Sequence, residues 1–165
     1  MGAESPITAA SLMLAAAPFG AAGASFEPAA RRVLFWRIGM LNSLLVFLGG
    51  GTGALARYLM GNVVSHHTGN GNFPYHTLSI NLIGSLLICV LMEWMGLKVS
   101  LPEQLRLLLV VGVLGGYTTF SAFSLESSLM IERGDYAACA AYIATSVIGG
   151  IALVFAGAWA VRTVL

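Results

Sequence analysis

The chain has 165 residues, of which 58% are hydrophobic and only 9% are charged, and its mean hydropathy is +0.85. Average soluble domains carry about 25% charged residues, so a soluble fold of this composition would leave much of its surface without polar cover. A surface that faces lipid needs no such cover. The formal net charge of +1 excludes the strongly basic footprint of a nucleic-acid binder. The composition therefore predicts an integral membrane protein.

Residues 1–39 differ from the rest and are predicted to be an extension of a membrane domain that covers residues 40–165. The extension is rich in Ala, Gly, Pro and Ser up to residue 30. Its apolar patch, residues 9–19, is shorter than the roughly 20 residues that span a bilayer. This composition buries too little apolar area to offset the entropy of ordering. We therefore expect a disordered or weakly interfacial extension with few contacts to the helices, and Met40 is an alternative translation start.

Four apolar segments follow in chain order and are separated by short stretches of turn residues. They cover residues 41–60, 75–97, 104–131 and 136–161. The first two and the last have about the length of a helix that crosses the membrane, whereas the third is too long for a simple span. The sequence thus predicts an all-α integral membrane protein with four transmembrane helices.

The third segment contains a sequence that is unfavourable for a continuous helix. Residues 112–124 read GVLGGYTTFSAFS. Paired glycines beside a Thr/Ser run propagate a helix poorly. Unwound backbone survives in a membrane only where protein or a polar cavity surrounds it, and broken membrane helices mark ion or substrate sites. We therefore predict that the third helix is broken mid-membrane.

Polar and aromatic side chains recur at helical spacing inside these segments. Asn81 lies four residues from both Thr77 and Ser85, so the three share a helix face that either bonds to another helix or lines a polar path. Phe120 and Phe123 share a face directly after the predicted break. Such a pair usually packs, but the positive edges of its rings can also hold a small anion.

Four further residues were considered for the same site. Tyr142 and Ser146 form a stripe of hydroxyls, which either donate to an anion or bond back to their own helix. Arg57 lies near the end of the first segment, where its side chain can reach the interface. Glu126 lies on the face of Phe123 and is either paired, exposed in a vestibule or part of an ion path.

An enzyme is not expected from this sequence. It contains no GxSxG, HExxH or phosphate-binding loop. The two cysteines, Cys89 and Cys139, stand alone inside apolar runs and are predicted to be packing residues.

The basic residues of residues 40–165 are nearly balanced across the four predicted spans. Lys98, Arg106 and Arg162 lie on one side, and Arg57 and Arg133 lie on the other. This balance gives almost no positive-inside bias. It favours a protein that inserts in both orientations, whereas adding Arg31, Arg32 and Arg37 of the extension gives six against two and favours an N-terminus in the cytoplasm.

Three motifs, in this order, resemble the CrcB/Fluc family of fluoride channels. They are GTGALARY at residues 51–58, TLSINLIGS at residues 77–85 and the GVLGGYTTFSAFS string at residues 112–124. The resemblance covers nearly all of the hydrophobic chain after Met40. It implies a passive, fluoride-selective channel in the cell inner (plasma) membrane that exports fluoride and reduces its toxicity. It also implies an antiparallel homodimer of dual topology.

The resemblance further implies roles for individual residues. The fluoride pore would be formed by Phe120, Phe123, Asn81, Tyr142, Ser146, Ser121 and Thr119. The backbone carbonyls of Gly115 and Thr118 would bind a structural sodium ion at the dimer interface. Arg57 and Glu126 match a recurring arginine and an acidic position. Gly150 stands where some relatives carry a further hydroxyl, so the outer polar path is expected to be shorter or more hydrated here.

Two other functions compete with a fluoride channel. A small four-helix, dual-topology drug antiporter would need a membrane-embedded carboxylate, usually in its first helix, and residues 41–60 contain none. A non-transporting membrane assembly subunit would use its polar residues only to join helices. Rescue of a fluoride-sensitive strain separates all three functions.

Overall fold

The computed structural model describes residues 29–69, 71–97 and 102–164, and all regular structure within these ranges is helical. We label the helices α1 (Ala29–Thr68), α2 (Tyr75–Leu97), α3 (residues 103–117), α4 (Phe120–Glu132) and α5 (Tyr136–Val164). Four stretches of these helices are long and apolar enough to cross a membrane: Arg37–Thr68, Tyr75–Gly96, Glu103–Glu132 and Tyr136–Val164. The all-α class and the four predicted spans are therefore confirmed.

Helix α1 is longer than the predicted first segment at both ends. Its backbone is helical from Ala29 to Thr68, whereas the apolar pattern predicted residues 41–60. No proline occurs between Pro28 and Pro74, so no residue in this stretch lacks the backbone N–H that the helical hydrogen bonds require. The later part of the predicted extension is thus helical backbone. Residues 1–28 lie outside the described residues, and their predicted disorder stays a prediction.

The third span breaks between α3 and α4, as predicted. Thr118 and Thr119 adopt extended backbone angles, with ψ values of 159° and 121°. The Thr118 amide still donates to the Leu114 carbonyl at 3.1 Å. Beyond the break, the Thr119 hydroxyl accepts from the Ala122 amide at 3.2 Å and thereby caps the start of α4.

Two stretches of wider, π-helical backbone were not predicted from the sequence. One is Leu107–Leu114 in α3, and the other is Thr145–Gly149 in α5. Such segments are rare and frequently occur at functional sites. The first leads into the break, and the second carries Ser146.

Glycines bring α1 and α3 into close contact. A Cβ atom on Gly112 would lie 2.9 Å from the Gly49 Cα atom, and one on Gly53 would collide with the backbone of Val113. Inside lipid no hydrophobic effect drives helices together, so such close approach, with its dispersion contacts, stabilises the pair.

We predict that Gly53→Ala destabilises the protein because the new methyl group meets backbone atoms that cannot rotate away. Overpacking of this kind costs about 1–3 kcal/mol. Gly51→Ala is the matched control, since a Cβ there meets nothing within 4 Å. Thermal unfolding of both variants in detergent measures the difference. Equal unfolding temperatures would contradict the predicted packing.

The core lies where α2, α4 and α5 meet. Met130, Cys139 and Tyr142 form its buried centre. The partly buried hydrophobic residues packed against it are Phe73, Leu78, Phe123 and Ala138. Cys139 is a packing residue here, as predicted. This arrangement places the polar face of α2 against α4 and the break.

Candidate functional site: a polar and aromatic track beside the broken helix

Asn81 joins α2 to the unwound backbone. Its Nδ2 atom donates to the Thr119 carbonyl at 2.9 Å, and its Oδ1 atom accepts from the Thr119 amide at 2.9 Å. The side chain thus supplies both partners that Thr119 lacks outside a helix. Bonding to another segment was one of the two roles predicted for Asn81. A primary amide carries two N–H groups, so the second stays available as a donor.

A cavity of about 320 Å³ lies beside this junction. It is lined by Asn81, Gly84, Ser85, Ile88, Thr118, Thr119 and Phe120. The Ser85 hydroxyl donates back to the Asn81 carbonyl of its own helix at 2.8 Å. The break therefore borders a space with both polar and aromatic walls, which we call the break cavity.

Glu126 is paired, which was one of the three possibilities left open by the sequence. Its Oε1 atom accepts from the Thr77 hydroxyl at 2.6 Å, and its Oε2 atom accepts from the Tyr142 hydroxyl at 2.7 Å. His76 Nε2 lies 3.1 Å from the same Oε1 atom. Thr77 and Tyr142 are fully or almost fully buried, so the carboxylate has replaced water as their partner.

A second cavity of about 320 Å³ adjoins Glu126, and we call it the loop cavity. Its polar lining is formed by Ser65, Thr68, Asn72, His76, Glu126 and Arg133. Arg133 has partners in the neighbouring loops, since its Nε atom donates to Asp135 at 3.2 Å and its Nη2 atom donates to the Asn72 carbonyl at 3.2 Å. Nothing in the sequence pattern indicated the place of His76 beside Glu126.

Three aromatic rings connect the two cavities. The Phe120 and Phe123 ring centroids are 5.6 Å apart, and the Phe123 and Tyr142 centroids are 5.2 Å apart. Phe120 lines the break cavity, and Tyr142 is bonded to Glu126 of the loop cavity. Asn81, Phe120, Phe123, Tyr142 and Glu126 therefore form one continuous series, which we call the track.

Three other hydroxyls predicted for the site differ in their partners. Thr119 and Ser121 lie with their hydroxyl oxygens 3.2 Å apart at the start of α4. The Ser146 oxygen is buried and has no hydrogen-bond partner among the described residues. A buried hydroxyl without a partner is costly, so Ser146 is the hydroxyl best placed to gain from a ligand.

Arg57 reaches the break between α3 and α4, and its predicted reach to the membrane interface stays a prediction. The sequence placed the end of the first segment too early, and α1 in fact continues to Thr68. The Arg57 guanidinium donates to the Thr118 carbonyl at 3.4 Å. Arg57 thus lies on the side of the break that faces α1.

The carbonyls of Gly115 and Thr118 are both outside the helical hydrogen-bond ladder. The Thr119 amide, which in a helix would bond to Gly115, donates to Asn81 instead. The Thr118 carbonyl accepts only the long contact from Arg57 among the bonds of the described residues. Free backbone carbonyls of an unwound membrane helix are suitable ligands for sodium. Neither carbonyl has a backbone amide partner within the described part of the chain, and the sodium site implied at them stays a prediction.

A four-span helical protein with a polar and aromatic track through a broken helix belongs to the class of membrane transport proteins. The family model described as "CrcB-like protein, Camphor Resistance (CrcB)" matches residues 44–158. The match covers more than half of the chain, and the chain belongs to this family.

Curated relatives cover most of the chain. A protein of Methylobacterium sp. (strain 4-46) is 50% identical over 113 residues, which are 68% of this chain and 90% of the relative. One from Rhodopseudomonas palustris (strain BisB5) is 45% identical over 73% of this chain and 97% of the relative. One from Agrobacterium fabrum is 46% identical over 72% and 94%. All three are named "Fluoride-specific ion channel FluC".

Proposed function

We propose that the chain forms a passive, fluoride-selective channel that exports fluoride across the plasma membrane and reduces its toxicity in the cell. The observation that carries this proposal is the track, which links two cavities through Asn81, two phenylalanines and Tyr142. The family and the printed names of the relatives support the choice of fluoride. A channel needs no catalytic group, and the protein is not an enzyme.

The chemistry of the track suits a small anion that must give up water. The free N–H group of Asn81 is a hydrogen-bond donor on the track, and the unpaired hydroxyl of Ser146, one turn from Tyr142 on α5, is a further donor. The positive edges of the Phe120 and Phe123 rings add weak attraction without a full charge. Conduction requires sites that are numerous and weak, because a tightly held ion would not leave. The track therefore offers several weak contacts that together replace the water molecules that the anion loses.

Rescue of a fluoride-sensitive bacterial strain tests this function in cells. Expression of the chain should restore growth on fluoride, whereas the Phe120→Ile variant should not do so at matched expression. A chain that confers resistance to cationic dyes but not to fluoride would instead be a drug antiporter. Failure to confer either would favour the assembly subunit.

Ser146→Ala is expected to reduce fluoride flux without loss of stability. The substitution removes a buried oxygen that has no partner, so unfolding should become no easier. The flux should fall several-fold, since a donor worth about 1 kcal/mol is removed from the path. Fluoride efflux and thermal unfolding are measured on the same preparation. Unchanged flux would remove Ser146 from the pathway.

A second copy of the chain is needed to complete the pore wall, and we propose an antiparallel homodimer. In the single chain the Phe120 ring is 79% exposed, which leaves one side of the track without cover. The near balance of basic residues is consistent with subunits inserted in opposite orientations.

Two measurements test the dimer. One is the mass of the purified protein in detergent, and the other is the side of the membrane from which the cysteine of a Glu132→Cys variant can be labelled. This position ends α4 and is exposed beside the loop that follows. A membrane-impermeant maleimide added to whole cells should label about half of the molecules if both orientations occur. A monomeric mass, or labelling of all or none of the molecules, would contradict the antiparallel dimer.

We further propose that a structural sodium ion at the dimer interface is held by the carbonyls of Gly115 and Thr118. Bound sodium would interact favourably with the negative ends of these two carbonyl dipoles, which have no amide donor from a helix. The unfolding temperature should therefore be higher in sodium than in N-methylglucamine at equal ionic strength. Equal unfolding temperatures would contradict a structural sodium.

A further inference from the structure

His76 is the histidine among the residues that line the loop cavity. Histidine is the side chain that ordinarily titrates between about pH 5 and 8. Its Nε2 atom lies 3.1 Å from Glu126, and its side chain is 42% exposed, so protons reach it from the cavity. His76 is thus placed to change the charge beside the track.

The loop cavity forms one mouth of the track, and the charge state of His76 determines the net charge of this mouth. From α4, Glu126 contributes a negative charge, and Arg133 is matched by Asp135 at 3.2 Å. From α5, the Tyr142 hydroxyl is already donated to Glu126. From α1 only the hydroxyls of Ser65 and Thr68 reach the cavity. The mouth is therefore net negative when His76 is neutral and is balanced when His76 is protonated.

Glu126 also competes with an anion for donors. It accepts the hydroxyls of Thr77 and Tyr142, and these are the donors of the track nearest to the loop cavity. An imidazolium beside Oε1 attracts the carboxylate more strongly than a neutral ring does. The carboxylate then holds the Tyr142 hydroxyl less firmly.

We propose that His76 is a positioning residue whose protonation opens this mouth to fluoride, by neutralising Glu126 and releasing the Tyr142 hydroxyl. The inference rests on the proposed channel function and adds a dependence on pH to it. Fluoride passage is fast when His76 is charged and slow when it is neutral.

The test is fluoride efflux from proteoliposomes with equal pH on both sides, measured between about pH 5.5 and 8. Protein-free vesicles at each pH measure the hydrogen fluoride that crosses the lipid, and this background rate is subtracted from the flux. Wild-type flux should fall about fivefold as the pH rises, since one charge close to the path in a wet site is worth about that factor.

Three variants identify the titrating group. His76→Gln keeps a hydrogen-bond donor without the charge and should give low flux at every pH. His76→Arg keeps the charge and should give high flux at every pH. His66→Gln is the matched control, because His66 is exposed on α1 and does not line the loop cavity, and it should keep the wild-type profile.

The outcomes separate this inference from the function on which it rests. Wild-type flux that does not change with pH, or a His76→Gln variant with the wild-type profile, overturns the role of His76. Absence of fluoride efflux from the wild type at every pH overturns the channel itself. Size-exclusion profiles of all variants establish that assembled protein is compared.

Discussion

Replacing Asn81 with alanine is expected to abolish fluoride flux and to destabilise the protein more than any other single change in the track. The substitution leaves the amide and the carbonyl of Thr119 without partners at the break. Each fully buried polar group that loses its partner costs about 1–3 kcal/mol, and the two groups of the half-buried Thr119 together cost less than twice that amount because the break cavity admits water. The unwound backbone then has no fixed position beside Phe120.

Thermal unfolding in detergent and liposome efflux together test the role of Asn81. Ser85→Ala is the matched control, because Ser85 lines the same cavity but bonds only within its own helix at 2.8 Å. The control should unfold close to the wild-type temperature. An Asn81→Ala protein that is as stable as the control would show that Asn81 does not hold the break.

Phe120→Ile and Phe123→Ile are expected to lower fluoride flux at least about tenfold, the effect of losing about 1.4 kcal/mol at the barrier. Isoleucine keeps the apolar character and much of the volume but has no positive ring edge. Phe120 is largely exposed in the single chain, so its replacement should cost little to the fold of one subunit. Phe123 packs against Tyr142, so its replacement should cost more.

Phe155→Ile controls for the loss of any exposed ring, since Phe155 is 68% exposed on α5 and lies outside the track. Flux and size-exclusion behaviour are measured on the same sample. If the two phenylalanines only packed the protein, the isoleucine variants would assemble poorly, but the molecules that did assemble would conduct fluoride well. Assembled isoleucine variants with wild-type flux would exclude both rings from permeation.

The break and the four spans were predictable because they depend on local chemistry. Long apolar runs determine the spans, and the glycine and threonine residues at 115–119 lower the helix propensity at the break, although the similar GGGTG run at residues 49–53 stays helical in α1. The start of α1 at Ala29 was not predicted, since the apolar pattern that sets a span does not set where a helix begins.

The partners within the site were not predictable from spacing. Helical periodicity correctly placed Thr77, Asn81 and Ser85 on one face. It does not say which residue of another helix lies opposite, and that register brings Thr77 to Glu126 and Asn81 to Thr119. The same register between α2 and α4 brings His76 to Glu126. The π-helical turns likewise follow from packing and have no clear local signal.

The central claim is that the track conducts fluoride, and efflux from vesicles loaded with potassium fluoride tests it most directly. With a potassium ionophore present, an external electrode should record rapid fluoride release that requires the protein. Vesicles loaded with potassium chloride should release chloride no faster than protein-free vesicles do. Fluoride release no faster than the protein-free rate, or chloride release as fast as fluoride release, would contradict a fluoride-selective channel.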